Sequence, residues 1–289
     1  KKSMENMFGF IESKAERAEL SHNSLEYHHP LHEIAYNFNS GDCRPGATIV
    51  AYLNGLNDSR ISSYFTAADD GEYHGVRIGI TTSNMSNYQG NKISNLNINR
   101  ASTPVVWMTA AESFFLRAEG ALRGWAMGGD AKSLYEEAIA LSFEQYGLPA
   151  TDALSYATNA SNTPQAYTDP VNGTYSAGAV SSITVAWQEG DEYTEKNLER
   201  IITQKWIAMF PSTVEAWSEY RRTDYPHLLP VVVNNSGGTI DDTKAKIRRL
   251  WYPPSEYSGN RQYILEAVGM LGGPDNGATS LWWDKKPRP

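Results

Sequence analysis

The chain is 289 residues long, 40% hydrophobic and 20% charged, with a net charge of −8. That is a globular composition with enough apolar residue for a core, and the acidic balance without a basic stripe argues against a nucleic-acid surface. The single Cys43 forms no internal disulfide, which fits the cytoplasm and equally an exported protein without bridges. No apolar run approaches the ~18 residues of a membrane span. The opening KKSMENMFGFIESKAERAEL is broken by charges throughout, so it is not read as a signal peptide. It also lacks an initiator Met and starts mid-pattern, so the expectation is a chain whose beginning lies upstream.

In chain order, HHPLHE (28–33) sets His28 and His32 four apart, the spacing of a helical metal pair. Pro30 interrupts a regular helix there and no H-E-x-x-H glutamate is present, so packing or surface histidines are expected. TIVAYLNGLNDSRISSYF (48–65) carries Ile49, Val50, Leu53 and Leu56 at helical spacing. Residues 66–103 are rich in Asp, Gly, Asn and Ser and read as a loop excursion, with GEYHGVRIGI as a candidate short strand.

The strongest periodicity lies in about 105–147. Trp107, Ala111, Phe114, Phe115, Ala118, Leu122 and Trp125 form one helix face, AMGGD breaks it, and Asp130 is placed to cap the next helix. Ala131, Leu134, Tyr135, Ala138 and Leu141 continue the stripe until Gly147 and Pro149. The A-x3-Y-x2-A pattern fits the second helix of a TPR pair, which needs neighbours to bury its face; no second clean copy is found. Residues 150–193 read as a second loop excursion, studded with Tyr156, Tyr167, Tyr175 and Trp187.

Thr194 is placed to cap a helix with Leu198, Ile201, Ile202, Trp206 and Met209 as its buried stripe. Pro211 ends it and opens a short helix over Thr213–Arg222. In KWIAMFPSTVEAWSEYRRTDYP (205–226) the tryptophans fall on the apolar side, so packing is their leading role. Arg221, Arg222, Arg248 and Arg249, with Glu215, Glu219 and Glu256, suggest an ion-pair network bracing the C-terminal blocks. DDGE (69–72) and PDNG (274–277) are acidic turns that could hold Ca²⁺, although such turns ordinarily hold water. No P-loop, G-x-S-x-G, Rossmann fingerprint or Cys/His zinc spacing occurs, so no catalytic residue, metal site or cofactor is assigned.

Four blocks carry a family resemblance. QKWIAMFPSTVEAWSEYRRTDYPHL (204–228) resembles the signature of the SusD/RagB family of outer-membrane nutrient-binding lipoproteins, in its SusD-like lipoprotein branch. GLNDSRISSYF (55–65) resembles the family's D-x-R segment, and WMTAAESFFLRAEGALRG…DAKSLYEEAI (107–139) its Ala-rich TPR pair with the R-A-E core. RRLWYPPSEYSGN (248–260) and GGPDNGATSLWWD (272–284) resemble its C-terminal end. The blocks keep family order across the chain and correspond to the C-terminal portion of such proteins. The lipid-bearing cysteine falls outside this pattern, since Cys43 is internal.

The resemblance implies a mainly α fold: one SusD-like domain over 1–289, a TPR-helix scaffold with long irregular loops and little β structure. It implies a lipid-anchored protein at the outer-membrane surface of a Bacteroidetes-type bacterium. Such a protein captures an oligosaccharide, without chemistry, for a SusC-like TonB-dependent transporter. A peptide-binding member of the same family and a glycoside hydrolase are the alternatives; the second needs two carboxylates facing across a cleft. A sugar site wants aromatic platforms ringed by polar side chains. Among the loop aromatics, Trp187 beside Gln188 and Glu189, Tyr175 beside Asn172, Tyr73 beside Asp70 and Glu72, and Tyr88 beside Asn87 and Gln89 are the candidate ligand-binding residues.

Overall fold

The computed structural model of the chain describes residues 9–21, 28–38, 41, 43–240 and 247–284. It is helical, with two small antiparallel ribbons among the described residues. Strand β1 (Ala18–Leu20) pairs with β4 (Val105–Met108), and β2 (Phe65–Thr66) pairs with β3 (Asn95–Leu96). The first helical turn, α1 (Pro30–His32), starts on a proline whose missing N–H is one of the donors a helix start leaves free.

Helix α2 (Ala47–Gly55) buries Ile49, Val50, Tyr52 and Leu53. The helical spacing of Ile49, Val50, Leu53 and Leu56 is realised in α2, with Leu56 as its C-cap. Asn57 takes a left-handed φ of 54° and α3 (Ile61–Tyr64) restarts after it. Gly55 is required at the end of α2 because an added Cβ would lie 2.2 Å from the Gln165 nitrogen and 2.4 Å from the Thr163 oxygen. At that point the second loop excursion is stitched to α2 by the Gln165 N–H donating to Ala51 O.

The central hairpin joins α4 (Ala110–Leu122) to α5 (Ala131–Gln145). Both starts are capped by the side chains that α-helix physics favours. Thr109 accepts from the Glu112 N–H at 3.2 Å, and Asp130 accepts from the Ser133 N–H at 2.9 Å. Ala111, Phe115 and Ala118 of α4 meet Leu134, Tyr135 and Ala138 of α5 in one core, the small alanines allowing close approach. The expected stripe overran α4 at both ends. Trp107 stands on strand β4 and Trp125 in the turn after α4, and both are mostly exposed. The β-branched pair Val105–Val106 after Pro104 and the Thr109 cap are the local reason: they favour a strand that hands over to a helix.

Two further elements differ from the sequence reading. The start of the second excursion folds as α6 (Ala150–Ala157), which buries Ala153, Tyr156 and Ala157 against α5. GEYHGVRIGI is no strand; Val76 makes only an isolated bridge to Gly46. Helix α7 (Thr194–Ala208) lies against α4 and α5, and α8 (Thr213–Thr223) against α7. Thr194 is the first residue of α7 rather than its cap, with its hydroxyl donating to Asp191 O. The C-terminal block adds α9 (Pro254–Gly259) and α10 (Arg261–Met270).

Asp58 and Arg60 sit between α2 and α3, and both side chains are fully buried. Arg60 donates from Nε to Asp58 Oδ1 at 2.9 Å and from Nη2 to Oδ2 at 2.5 Å. Its remaining donors reach Ser142 Oγ on α5 at 2.8 Å and Gln204 Oε1 on α7 at 2.9 Å. The guanidinium also lies 4.9 Å from the Phe143 ring centre and 5.4 Å from that of Tyr156 on α6. Burial works to strip its proton, and the Asp58 charge more than offsets this, so Arg60 stays charged.

Replacing Arg60 by Met leaves Asp58 buried without its counter-charge and is expected to cost about 3–5 kcal/mol, read by denaturant unfolding; a loss below about 1 kcal/mol would contradict this assignment. Gly55→Ala is expected to cost about 1–3 kcal/mol by overpacking, checked in the same assay.

Candidate functional site

The two loop excursions are knitted into one layer. Its knot is Asp169, 5% exposed. Asp169 Oδ1 accepts the Tyr88 hydroxyl at 2.9 Å and the N–H groups of Val171 and Asn172 at 2.9 and 2.8 Å. The Tyr167 hydroxyl lies within hydrogen-bond reach of Asp169 Oδ2 and Gly75 O. Arg77 donates to Tyr175 O at 2.8 Å and Pro230 O at 2.5 Å, tying the first excursion to the second and to the segment after α8.

This knot decides where the four expected aromatics stand. Tyr88 and Tyr175 are buried with Ile93 in a small apolar cluster, so their ring faces are covered. Tyr73 and Trp187 remain half-buried at the edge of the main core. Trp187 sits 5.6 Å from the Tyr135 ring on α5. Its neighbour Gln188 is held from both sides: Arg200 donates to its Oε1 at 2.7 Å, and Asn197 Nδ2 donates to its backbone oxygen at 2.7 Å. Glu189 pairs with Lys132 at 2.9 Å. Beside Tyr73, Asp70 is hydrogen-bonded to His74 at 2.8 Å, which holds its carboxyl below the usual carboxylate range. Trp187 and Tyr73 are therefore flanked by fixed polar neighbours.

The described surface has a separate cleft of about 310 Å3. It opens between β4, the loop 97–104 and the joint from α7 to α8. Trp107 stands at it, with Glu112, Asn97, Gln145 and Phe210 among its walls. Strand alternation turns the Trp107 ring outward, leaving it 64% exposed. Sequence reading missed this cleft because Trp107 was placed on a helix face. Among the described residues no group of three or more His, Cys, Asp or Glu is placed to hold a metal. His29 accepts from the Leu31 N–H, His32 stacks on Tyr36, and His28 Nδ1 lies 3.0 Å from Arg100.

The arginine network exists, with Glu219 in it as expected and with Glu119, Asp224 and Asp275 in place of Glu215 and Glu256. Arg222 grips Glu119 with two bonds of 2.6 Å and also reaches Glu219 at 2.5 Å, while Lys205 donates to Glu219 at 3.0 Å. Arg123 adds a second cation on Glu119. Arg248 pairs with Asp224, and Arg249 with Asp275. Asp275 also accepts from the Tyr257 hydroxyl and the Tyr252 N–H, so the PDNG carboxylate is engaged by protein groups. Glu256 accepts from Asn260, and Glu215 is exposed on α8.

The fold is a TPR-type helical scaffold clad in long, internally braced loops. A family model described as Susd and RagB outer membrane lipoprotein matches residues 1–284, and the chain belongs to this SusD-like family. Solved structures agree. A SusD homologue from Bacteroides uniformis is 42% identical at a TM-score of 0.88, over 97% of this chain and 58% of its own. A SusD homologue from Bacteroides thetaiotaomicron is 43% identical at 0.83, over 97% and 59%. A structure described as a chitin-binding SusD homologue from Flavobacterium johnsoniae is 40% identical at 0.86, over 98% and 57%. The chain thus spans less than two thirds of these relatives. No curated protein matches it.

Burial works to raise the Glu119 pKa, but the hydrogen bonds and charges of Arg222 and Arg123 outweigh it and hold the carboxyl below its ordinary 4.5. A depressed folded pKa contributes stability that is present above 4.5 and is lost as the pH falls through the lower folded value. Arg222→Ala is therefore expected to move the acid-unfolding midpoint, followed by circular dichroism, to higher pH; an unmoved midpoint would count against the pairing.

Proposed function

We propose that this protein captures a glycan at the outer-membrane surface, where a lipid anchor holds it, and passes the sugar unchanged to a SusC-like TonB-dependent transporter. The observation that carries the reading is the family membership over nearly the whole chain, with a relative of 40% identity described as chitin-binding. The structure supports it with half-buried and exposed aromatic rings set beside fixed polar groups, the combination that matches a sugar's apolar C–H face and hydroxyl rim. Trp187 and Tyr73 keep partial exposure and are proposed as ligand platforms, with Tyr175 and Tyr88 acting from behind as the packed support of the same loop layer.

Binding without turnover is part of the proposal. The buried carboxylates of the scaffold are committed to cations or hydrogen-bond donors, as with Asp58, Glu119, Asp169 and Glu199. A hydrolase needs one carboxyl free to protonate a leaving group and a second across the sugar, and among the residues lining the Trp107 cleft Glu112 is the one carboxylate. No helix among the described residues is long and apolar enough to cross a membrane.

Calorimetric titration against a panel of oligosaccharides, with ligand masses measured after overnight incubation, tests this. A saturable glycan heat, unchanged masses and roughly tenfold weaker binding in Trp187→Ala, about 1.4 kcal/mol, are expected. Cleaved ligand overturns the non-enzymatic reading, and heat from peptides alone replaces the glycan by a peptide. Co-purification with a SusC-like transporter tests the delivery step.

A further inference from the structure

The cleft beside Trp107 holds a charge that the rest of the scaffold does not leave open. Glu112 lies in the first turn of α4, half-buried, and lines the cleft. Its backbone N–H is used by the Thr109 cap, but its carboxylate makes no hydrogen bond or ion pair to any described residue. The neighbouring cations are already engaged: the Lys205 ammonium donates to Glu219, and Arg17, also on the cleft wall, is paired with Glu19 at 2.5 Å. Burial pushes the Glu112 carboxyl up, Lys205 pulls it down, and Glu215 and Glu219 push it further up. The cations near this carboxylate are thus committed to other acids. Leaving a carboxylate half-desolvated and unpaired is costly, and an incoming cation relieves that cost.

The geometry around this carboxylate fits a ring-shaped guest. Trp107 presents an open indole, and Pro211, Phe210 and Met209 are apolar residues of the same lining. Asn97, Ser102 and Gln145 supply amide and hydroxyl groups. At about 310 Å3 the cleft is at the small end of ligand pockets, which run from about 300 to 1,000 Å3. A neutral sugar would be served by the indole and the amides but would leave the carboxylate's charge uncompensated. An ammonium group on the sugar satisfies it.

We infer that this cleft binds one residue of an amino sugar, with the pyranose ring against Trp107 and its protonated amine on the Glu112 carboxylate. This rests on the glycan-capture reading and narrows it to a site and a ligand class. The cleft is separate from the Trp187 and Tyr73 platforms, so the two can succeed or fail independently.

The test is calorimetric titration of the protein at neutral pH with two matched probes: a glucosamine trisaccharide carrying free amines and its fully N-acetylated counterpart. The free-amine probe is expected to bind more tightly. Glu112→Gln is expected to weaken the free-amine probe about tenfold or more and to leave the acetylated one within about twofold, because the amide keeps the hydrogen-bond acceptor and loses only the charge. Trp107→Ala, at an exposed position whose loss leaves the core intact, is expected to weaken the free-amine probe roughly fivefold. Equal affinity for the two probes, or free-amine binding untouched by both variants, overturns the inference while leaving glycan capture standing. A lysine-bearing peptide that binds through Glu112 while the amino sugar does not also overturns it. Absence of heat from any oligosaccharide overturns the inference together with the glycan reading.

Discussion

The fully buried pair of Asp58 and Arg60 is the constraint around which this scaffold is built. A charge taken out of water costs several kcal/mol, and the pair survives because nearly every valence is used. Asp58 receives the guanidinium fork, and the outer nitrogens of that fork bind α5 and α7 while its faces meet rings of α5 and α6. Four elements distant in sequence must therefore arrive at one point together. A hydrophobic residue there could fill the volume but would not fix direction, since burial is non-directional. The fork does fix it, and α7 can slide or rotate only by breaking hydrogen bonds in a dry interior.

A second ionic layer joins α4, α7 and α8, and it meets α7 at Lys205, the residue after Gln204. Glu119 on α4 is clasped by Arg222 on α8, and Glu219 bridges Arg222 to the buried Lys205 of α7. From α8 the bracing passes to the C-terminal block, where Arg221 and Arg248 donate to each other's backbone oxygens and Arg248 pairs with Asp224. Asp224 itself is left-handed at φ 65°, the turn that ends α8 and presents its carboxylate. The stretch 205–226 is basic and aromatic for this reason. Its arginines are clamps, and its tryptophans pack: Trp206 edge-on to Tyr52 at 5.9 Å, Trp217 beneath the Arg221 guanidinium at 4.1 Å.

Much of this was legible in the sequence, and the limits follow from what periodicity reports. The hairpin of α4 and α5, its Asp130 cap and the buried face of α7 follow from spacing and capping, because those features are local. The turn at Asn57 carried no spacing signal, because the apolar stripe of α2 ends at Leu56. Trp107 was misplaced for the converse reason: a strand residue three or four positions before a helix can mimic the helix's own stripe. Helix α6 was hidden by its small, polar composition, and tertiary burial of Tyr156 rather than propensity sustains it. The partners of the arginines could be read only in part: Glu219 was named, and Glu119, Asp224 and Asp275 were not. Charge type narrows the choice to acids, but Glu119, 103 residues from Arg222, was selected by the fold.

The candidate site was legible only as a class of residue. Loop tyrosines look alike in sequence whether they are platforms or plugs, and the difference here is set by Asp169. Its carboxylate draws Tyr88 and Tyr167 inward and fixes the turn at Val171 and Asn172, so the centre of the loop layer is spent on holding two long excursions together. Open aromatic surface is then left at the margins, on Trp187, Tyr73 and Trp107. This division suits a nutrient-binding family. Loop tips and rims can vary while the two ionic layers preserve the frame that presents them.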